Sequence, residues 1–157
     1  MAVEIERKFL VTGDGWSKAH GVHFSQGYLN RDKERTVRVR LAGKRSFITV
    51  KGLTTGASRA EFEYAIPVTD AEQLLKLCDG PIIEKIRYSV PHNGVKWEID
   101  EFLGDNLGLV LAEIELRSED EKFDVPSWVG REVTNDPRYF NSNLATHPYR
   151  NWRDQMS

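Results

Sequence analysis

The sequence predicts a β-dominated α+β fold built from antiparallel strands, and three observations carry that prediction. Seven stretches alternate between apolar and charged residues, and a period of two is the spacing at which a strand's side chains share a face. The gaps between most of these stretches are too short for the crossover that parallel pairing needs. The polar face of the alternation is almost wholly ionic, with like signs two residues apart.

The elements follow in order. In 3–11, Val3, Ile5, Phe9 and Val11 share a face with Arg7, and Glu4, Glu6, Lys8 and Leu10 share the other. The segment 22–30, VHFSQGYLN, reads as a further strand with Gly27 at a bulge. In 36–41, Val37, Val39 and Leu41 oppose Arg38 and Arg40; in 46–51, Ile48 and Val50 oppose Phe47, Thr49 and Lys51. In 61–66, Phe62, Tyr64 and Ile66 oppose Glu61 and Glu63. A capping box, Thr69 to Glu72, predicts a helix over 72–77, closed by Asp79-Gly80-Pro81. In 82–90, Ile82, Ile86, Tyr88 and Val90 oppose Ile83, Lys85 and Arg87. In 95–102, Val95, Trp97 and Ile99 oppose Lys96, Glu98 and Asp100; in 109–117, Val110, Ala112, Ile114 and Leu116 oppose Glu113, Glu115 and Arg117. Ala42-Gly43-Lys44 and His92-Asn93-Gly94 are hairpin turns, the second with an Asn-Gly pair suited to positive φ. Ser118 to Glu121 predicts the cap of a short helix ending before Pro126, and Asp136-Pro137 the start of a third. Pro148 interrupts that piece and leaves a tail, YRNWRDQMS, that either plugs one end of the fold or hangs free.

Composition narrows the classes of function. The chain has 157 residues, which predicts one domain over 1–157. Lys+Arg is 22 against Asp+Glu of 24, a net charge of −2, so no nucleic-acid partner is predicted. The single cysteine, Cys78, cannot form an internal disulfide. There is no run of apolar residues long enough for a membrane helix, and MAVEIERKFLV carries acids where a signal peptide needs a basic end. A cytoplasmic location without a membrane partner is expected; a homodimer is left open. The four histidines are scattered without metal spacing.

The ionic face has two readings. One is a solvated outer face with cross-strand ion pairs, each contributing under about 1 kcal/mol. Against it stands the blocking of the signs. Glu4/Glu6, Glu61/Glu63, Glu98/Asp100 and Glu113/Glu115 are acidic pairs, and Arg38/Arg40 and Lys85/Arg87 are basic ones, with Lys8, Lys51 and Arg59 beside them. Two carboxylates about 7 Å apart on one face repel unless a cation sits between them. The other reading closes eight or so strands into a barrel with the ionic face inward. Its lumen would suit hard cations such as Mg²⁺ or Mn²⁺ on carboxylates, and phosphate oxygens on Arg and Lys.

At Glu4-Ile5-Glu6-Arg7-Lys8 the sequence resembles the CYTH superfamily, the triphosphate tunnel metalloenzymes. The likeness continues through Arg38/Arg40, Lys51, Arg59, Glu61/Glu63, Glu84 to Tyr88, Trp97 to Asp100 and Leu111 to Glu115, then Glu132-Val133-Thr134, Arg138-Tyr139 and Asn141. The resemblance implies an eight-stranded antiparallel tunnel that binds triphosphates with a divalent metal, Mg²⁺ or Mn²⁺. It implies Glu4, Glu6, Glu113 and Glu115 as metal ligands, with Glu61 and Glu63 metal-binding or behind the ligands. It implies Lys8, Arg38, Arg40, Lys51, Lys85 and Arg87 as phosphate binders, with Arg59 beside them. Asp100 resembles a tunnel acid without an assigned task.

Gln26-Gly27-Tyr28-Leu29 resembles the second strand of small bacterial members that hydrolyse inorganic triphosphate. The resemblance implies a Lys8/Tyr28 dyad that orients a water toward a terminal phosphorus. Like charges around Lys8 would discourage it from holding its proton. The expected partner is inorganic triphosphate or another small triphosphate, and the expected activity is its metal-dependent hydrolysis to phosphate and pyrophosphate. The alternatives are an adenylyl cyclase of the same fold, a thiamine or nucleoside triphosphatase, and a non-catalytic polyphosphate-binding module.

Overall fold

A computed structural model describes residues 3–155; the last two residues of the tail lie outside it. The predicted strands form β1 (Val3–Val11), β2 (Gly21–Asn30), β3 (Arg35–Ala42), β4 (Arg45–Gly52), β5 (Ser58–Ala65), β6 (Asp79–His92), β7 (Val95–Phe102) and β8 (Val110–Glu115). They are hydrogen-bonded in the order β5-β4-β3-β2-β6-β7-β8-β1, and β5 pairs back onto β1. Every one of these pairings is antiparallel. The result is a closed eight-stranded barrel. A ninth strand, β9 (Val129–Glu132), adds to β1 outside the cylinder. Closure removes the unpaired edges that an open sheet would expose.

The apolar face of the alternation points outward. Phe9, Trp97, Ile99, Ala112, Ile114 and Leu116 are buried on the outer surface of β1, β7 and β8, under Trp16, Phe123 and Trp128. Phe9, Trp97, Phe123 and Trp128 meet edge to face at 5.6–6.3 Å between centroids, a geometry that ring quadrupoles favour. On the opposite side the helix α1 (Val68–Lys76) lies over β2, β3 and β4, with Ala71 and Val39 fully buried.

A second apolar cluster fills one end of the lumen. Leu10, Ile83, Phe102, Leu109 and Leu111 pack there against Val133, Tyr139, Leu144, Ala145, Tyr149 and Trp152. The predicted third helical piece is two short ones. Pro137–Tyr139 is a 3-10 turn whose Asp136 side chain accepts the Arg138 N–H, and α2 (Asn141–Leu144) follows. The tail therefore plugs an end and does not hang free. Trp16, Trp128 and Trp152 are all packing residues.

Several local expectations need correction. The helix α1 starts at Val68 after an extended Pro67, which supplies its carbonyl to Asp70 and Ala71; no side chain caps it. The predicted capping box lies inside the first turn and is not formed. Asp79-Gly80-Pro81 is not a closing turn but the start of β6. Pro81 fits because β7 reaches only to Lys85, so no rung is lost there. Ser118–Glu121 is a turn and not a helix: Ser118 bonds to Asp120, and the Arg117 N–H to Glu121. Gly27 pairs regularly with Val39 on the β3 side, where the register shifts only between Tyr28 and Asn30, but against β6 the register shifts between Gln26 and Tyr28, so the irregularity expected at Gly27 is present on that side. Gly27 is also needed for close approach: a Cβ there would lie 2.7 Å from Ile82 and 2.9 Å from Cys78. The His92-Asn93-Gly94 turn is as predicted, with φ of 50° at Asn93 and 80° at Gly94.

Candidate active site

The acids and bases share the lumen because register puts them there. Cross-strand partners point to the same side of a sheet. Lys8 lies opposite Glu113, Glu6 opposite Glu115, Arg87 opposite Asp100, Lys51 opposite Glu61, and Glu4 opposite Arg59. A cavity of about 320 Å³ lies in the lumen beside the apolar plug, bordered by Thr134, Phe140 and Asn141 of the plugging segment and by Leu53 and Ala57 between β4 and β5. Glu4, Glu6, Lys8, Tyr28, Arg38, Lys51 and Arg59 line it. Arg40, Lys85, Arg87, Glu61, Glu63, Glu113, Glu115 and Asp100 sit on the same lumen faces but off the cavity wall.

On the cavity side, Lys51 donates to both oxygens of Glu4 at 2.9 and 3.0 Å and lies 3.4 Å from Glu61. Burial raises the pKa of the Glu4 carboxyl, and Lys51 opposes that rise. Arg38 donates to Thr49 at 3.3 Å and lies 3.6 Å from Glu63; its buried Nε has no partner among the described residues. Arg59 is held by the Gly52 carbonyl and the Thr36 hydroxyl. Two donors on the wall are thus pre-aimed by neutral groups.

Glu6 differs from its neighbours. Among the described residues its carboxylate makes no hydrogen bond or ion pair. Burial, then the Glu113 and Glu4 charges, push its pKa up to about 8. Burial also raises that of Glu115, helped by Glu4 and Glu98. Such a group needs either a proton or a cation.

The far side of the lumen is already neutralised. Asp100 is 1% exposed and accepts from Arg87 at 2.7 and 2.9 Å and from Lys85 at 2.7 Å. Burial works against its charge, but Arg87 and then Lys85 hold its pKa far below the usual carboxylate range. Arg87 also reaches Glu98 and Glu113, each at 3.5 Å. Burial lowers Arg40 to about 9, and Arg38 and Arg87 add to the fall. The Phe24 ring lies 4.7 Å from the Arg40 guanidinium, 5.0 Å from that of Arg87 and 5.8 Å from the Lys85 ammonium. An aromatic face between crowded cations offsets part of their repulsion.

Lys8 and Tyr28 reach the same cavity, but among the described residues no hydrogen bond joins them. The Lys8 ammonium donates to the Tyr139 carbonyl at 3.1 Å and lies 3.6 Å from Glu113. Its nearest charge is therefore acidic, where like charges were expected around it. Nor do the acids form a ready-made coordination shell: among the described residues no three of His, Cys, Asp or Glu converge closely enough. They are spread around the wall with lysines and arginines between them.

Sequence reasoning missed Phe24, Gln26, Thr36, Thr49, Thr134 and Asn141. Thr36 and Thr49 stand in the inward parity of their strands, so they could have been found. Thr134 accepts the Lys8 N–H from outside any predicted element; Thr134 and Asn141 stood in the family likeness, but without a role.

Comparison with known proteins adds the following. The sequence pattern of the CYTH domain matches residues 2–149. A protein of Acetivibrio thermocellus named inorganic triphosphatase is 53% identical over 156 residues, covering 98% of this chain and 100% of that protein. A protein of Nitrosomonas europaea with the same name is 42% identical over 147 residues, covering 90% and 96%. A crystal structure of an inorganic triphosphatase matches with a TM-score of 0.66 at 40% identity, covering 90% of this chain and 97% of that one.

Proposed function

The chain belongs to the CYTH domain family, and from that premise we propose that it hydrolyses inorganic triphosphate to phosphate and pyrophosphate within its barrel. The observation that carries the proposal is one cavity walled by Glu4 and Glu6 together with Lys8, Arg38, Lys51 and Arg59. Its size lies at the low end of small-ligand sites, and its donors match phosphate oxygens.

The chemistry of the acids suits a hard divalent cation. They are oxygen donors only, and among the described residues Glu6 has no hydrogen-bond or ion-pair partner. Glu4, Glu6, Glu113 and Glu115 would hold Mg²⁺ or Mn²⁺, with Glu61 and Glu63 behind them. When bound, such an ion neutralises triphosphate charge and makes a water more acidic.

The protein's own groups then account for the rest. Arg38, Arg59, Lys51 and Lys8 bind phosphate oxygens from the cavity wall. Arg40, Lys85 and Arg87 extend the positive wall deeper. In-line attack of water on a terminal phosphorus forms one P–O bond and breaks the P–O–P bridge, releasing phosphate and pyrophosphate. Lys8 and Tyr28 orient that water. The apolar plug excludes bulk solvent from one end. Positioning and charge stabilisation are most of what phosphoryl transfer requires.

The location we propose is the cytoplasm. Among the described residues no helix is long and apolar enough to cross a membrane, and the single cysteine is free.

The test is to compare kcat/KM for tripolyphosphate, ATP and thiamine triphosphate, each with Mg²⁺ and Mn²⁺, following phosphate release. Tripolyphosphate is expected to lead. Cyclic AMP formed from ATP with a higher kcat/KM would overturn the assignment in favour of a cyclase. Tight binding of tripolyphosphate without turnover would leave a binding module.

A further inference from the structure

Two neutral amides sit among the lumen charges. Gln26, on β2, is 0% exposed. Its Oε1 accepts from Arg40 Nε at 2.9 Å, and its Nε2 donates to Asn141 Oδ1 at 3.1 Å. The same Asn141 oxygen accepts from Lys85 Nζ at 3.3 Å. A chain of hydrogen bonds therefore runs from Lys85 through Asn141 and Gln26 to Arg40.

The ends of this chain settle its direction. Lysine and arginine only donate. Asn141 must present its oxygen to Lys85, so Gln26 must turn its amino group to that oxygen. The Gln26 oxygen is then left facing Arg40, where a donor stands. Flipping either amide would set donor against donor or acceptor against acceptor, so the network admits one arrangement.

Asn141 does not belong to the barrel wall strands. It opens α2 in the segment that plugs the lumen, and it also borders the cavity. The segment is fastened by Lys8 to Tyr139, by Gln26 to Asn141 and by Lys85 to Asn141.

We propose that Asn141 is a positioning residue of the triphosphate site: it fixes the Lys85 ammonium directly and the Arg40 guanidinium through Gln26. The C-terminal segment thereby sets the geometry of the deep cationic wall as well as closing the barrel. This rests on Arg40 and Lys85 binding phosphate, as proposed above. Without Asn141 both cations keep their charge and Lys85 keeps Asp100, but Lys85 loses its second anchor and Gln26 loses the partner that fixes the amide facing Arg40, and binding weakens more than the chemical step.

The experiment measures kcat, KM and Tm for the wild type, Asn141→Ala, Gln26→Met, Arg40→Ala, Lys85→Ala and the double variants of Arg40→Ala with Asn141→Ala and with Gln26→Met. Asn141→Ala is expected to raise KM for tripolyphosphate about ten-fold, the effect of one lost hydrogen bond to a charged group, with a smaller change in kcat. Gln26→Met is expected to raise KM in the wild-type background and to be nearly silent once Arg40 is alanine, since coupled residues are not additive. Gln26→Met keeps the test open if Asn141→Ala fails to fold. A lower Tm with unchanged KM would make the network merely structural and overturn the proposal. So would strictly multiplicative effects of Gln26→Met and Arg40→Ala. If Arg40→Ala and Lys85→Ala both leave KM unchanged, the phosphate-binding role of those cations fails first, and the proposal falls with it.

Discussion

Lys51 grips Glu4 by both carboxylate oxygens, at 2.9 and 3.0 Å, across β5, which β4 and β1 flank. A cation taken up by Glu4 must compete with that lysine. The pair guards the first carboxylate of the Glu-x-Glu motif, while the second, Glu6, has no ion pair among the described residues.

Glu4→Gln is expected to lower turnover of tripolyphosphate by about ten-fold or more and to raise the Mg²⁺ concentration for half-maximal rate, as losses around metal sites do. A metal titration of the rate checks this. Wild-type kinetics and metal response would remove Glu4 from the ligand set.

Lys8→Ala should reduce kcat more than Tyr28→Phe does. Lys8 is tied to the Tyr139 carbonyl and Glu113, so its loss removes a charge and two contacts, whereas Tyr28→Phe removes one hydroxyl. Steady-state kinetics of both variants decide the matter. A silent Tyr28→Phe would end the dyad and leave hydrolysis to the remaining wall.

Glu6 gives a pH dependence with a definite sign. Its folded pKa of about 8 lies above the ordinary value of 4.5, so between these values the folded state binds the extra proton. Its contribution to stability is complete below about pH 4.5 and is lost as pH rises through about 8. Thermal unfolding of metal-free protein should therefore show Glu6→Gln gaining on wild type as pH rises, by roughly 2–4 °C for each kcal/mol relieved. Equal pH profiles for the two proteins would contradict this.

Asp100→Asn leaves Lys85 and Arg87 buried without their shared anion. Breaking a buried ion pair from one side typically costs about 3–5 kcal/mol, and Tm should fall by roughly 2–4 °C per kcal/mol. Calorimetry checks it. A Tm within a degree or so of wild type would mean that the lumen relaxes around the two cations.

The strands were legible because alternation is a local property. Glu4-Ile5-Glu6-Arg7-Lys8 states its period without help from any other segment. Strand β9 was not legible: it has four residues, and only the flank of β1 makes it a strand. The start of α1 was misplaced because Thr69 and Glu72 satisfy a capping pattern that Pro67 makes unnecessary. In the site, the inward rows could be read strand by strand, but the partners could not. Whether Lys51 meets Glu4 or Glu61 depends on which strands become neighbours when the barrel closes. Asn141 was the hardest to foresee, since its importance comes from residues 115 and 56 positions away.

Among the described residues closure joins β1 to β5 through three residue pairs, against five between β1 and β8. The cylinder thus has a zip, and the zip is short. Glu4 and Arg59 stand opposite each other within it, and an anion that engages Lys8 on β1 and Arg59 on β5, both on the cavity wall, would fasten the two edges together. Amide exchange slowed along Val3–Ile5 and Ser58–Ala60 on adding tripolyphosphate would be the mark of that fastening.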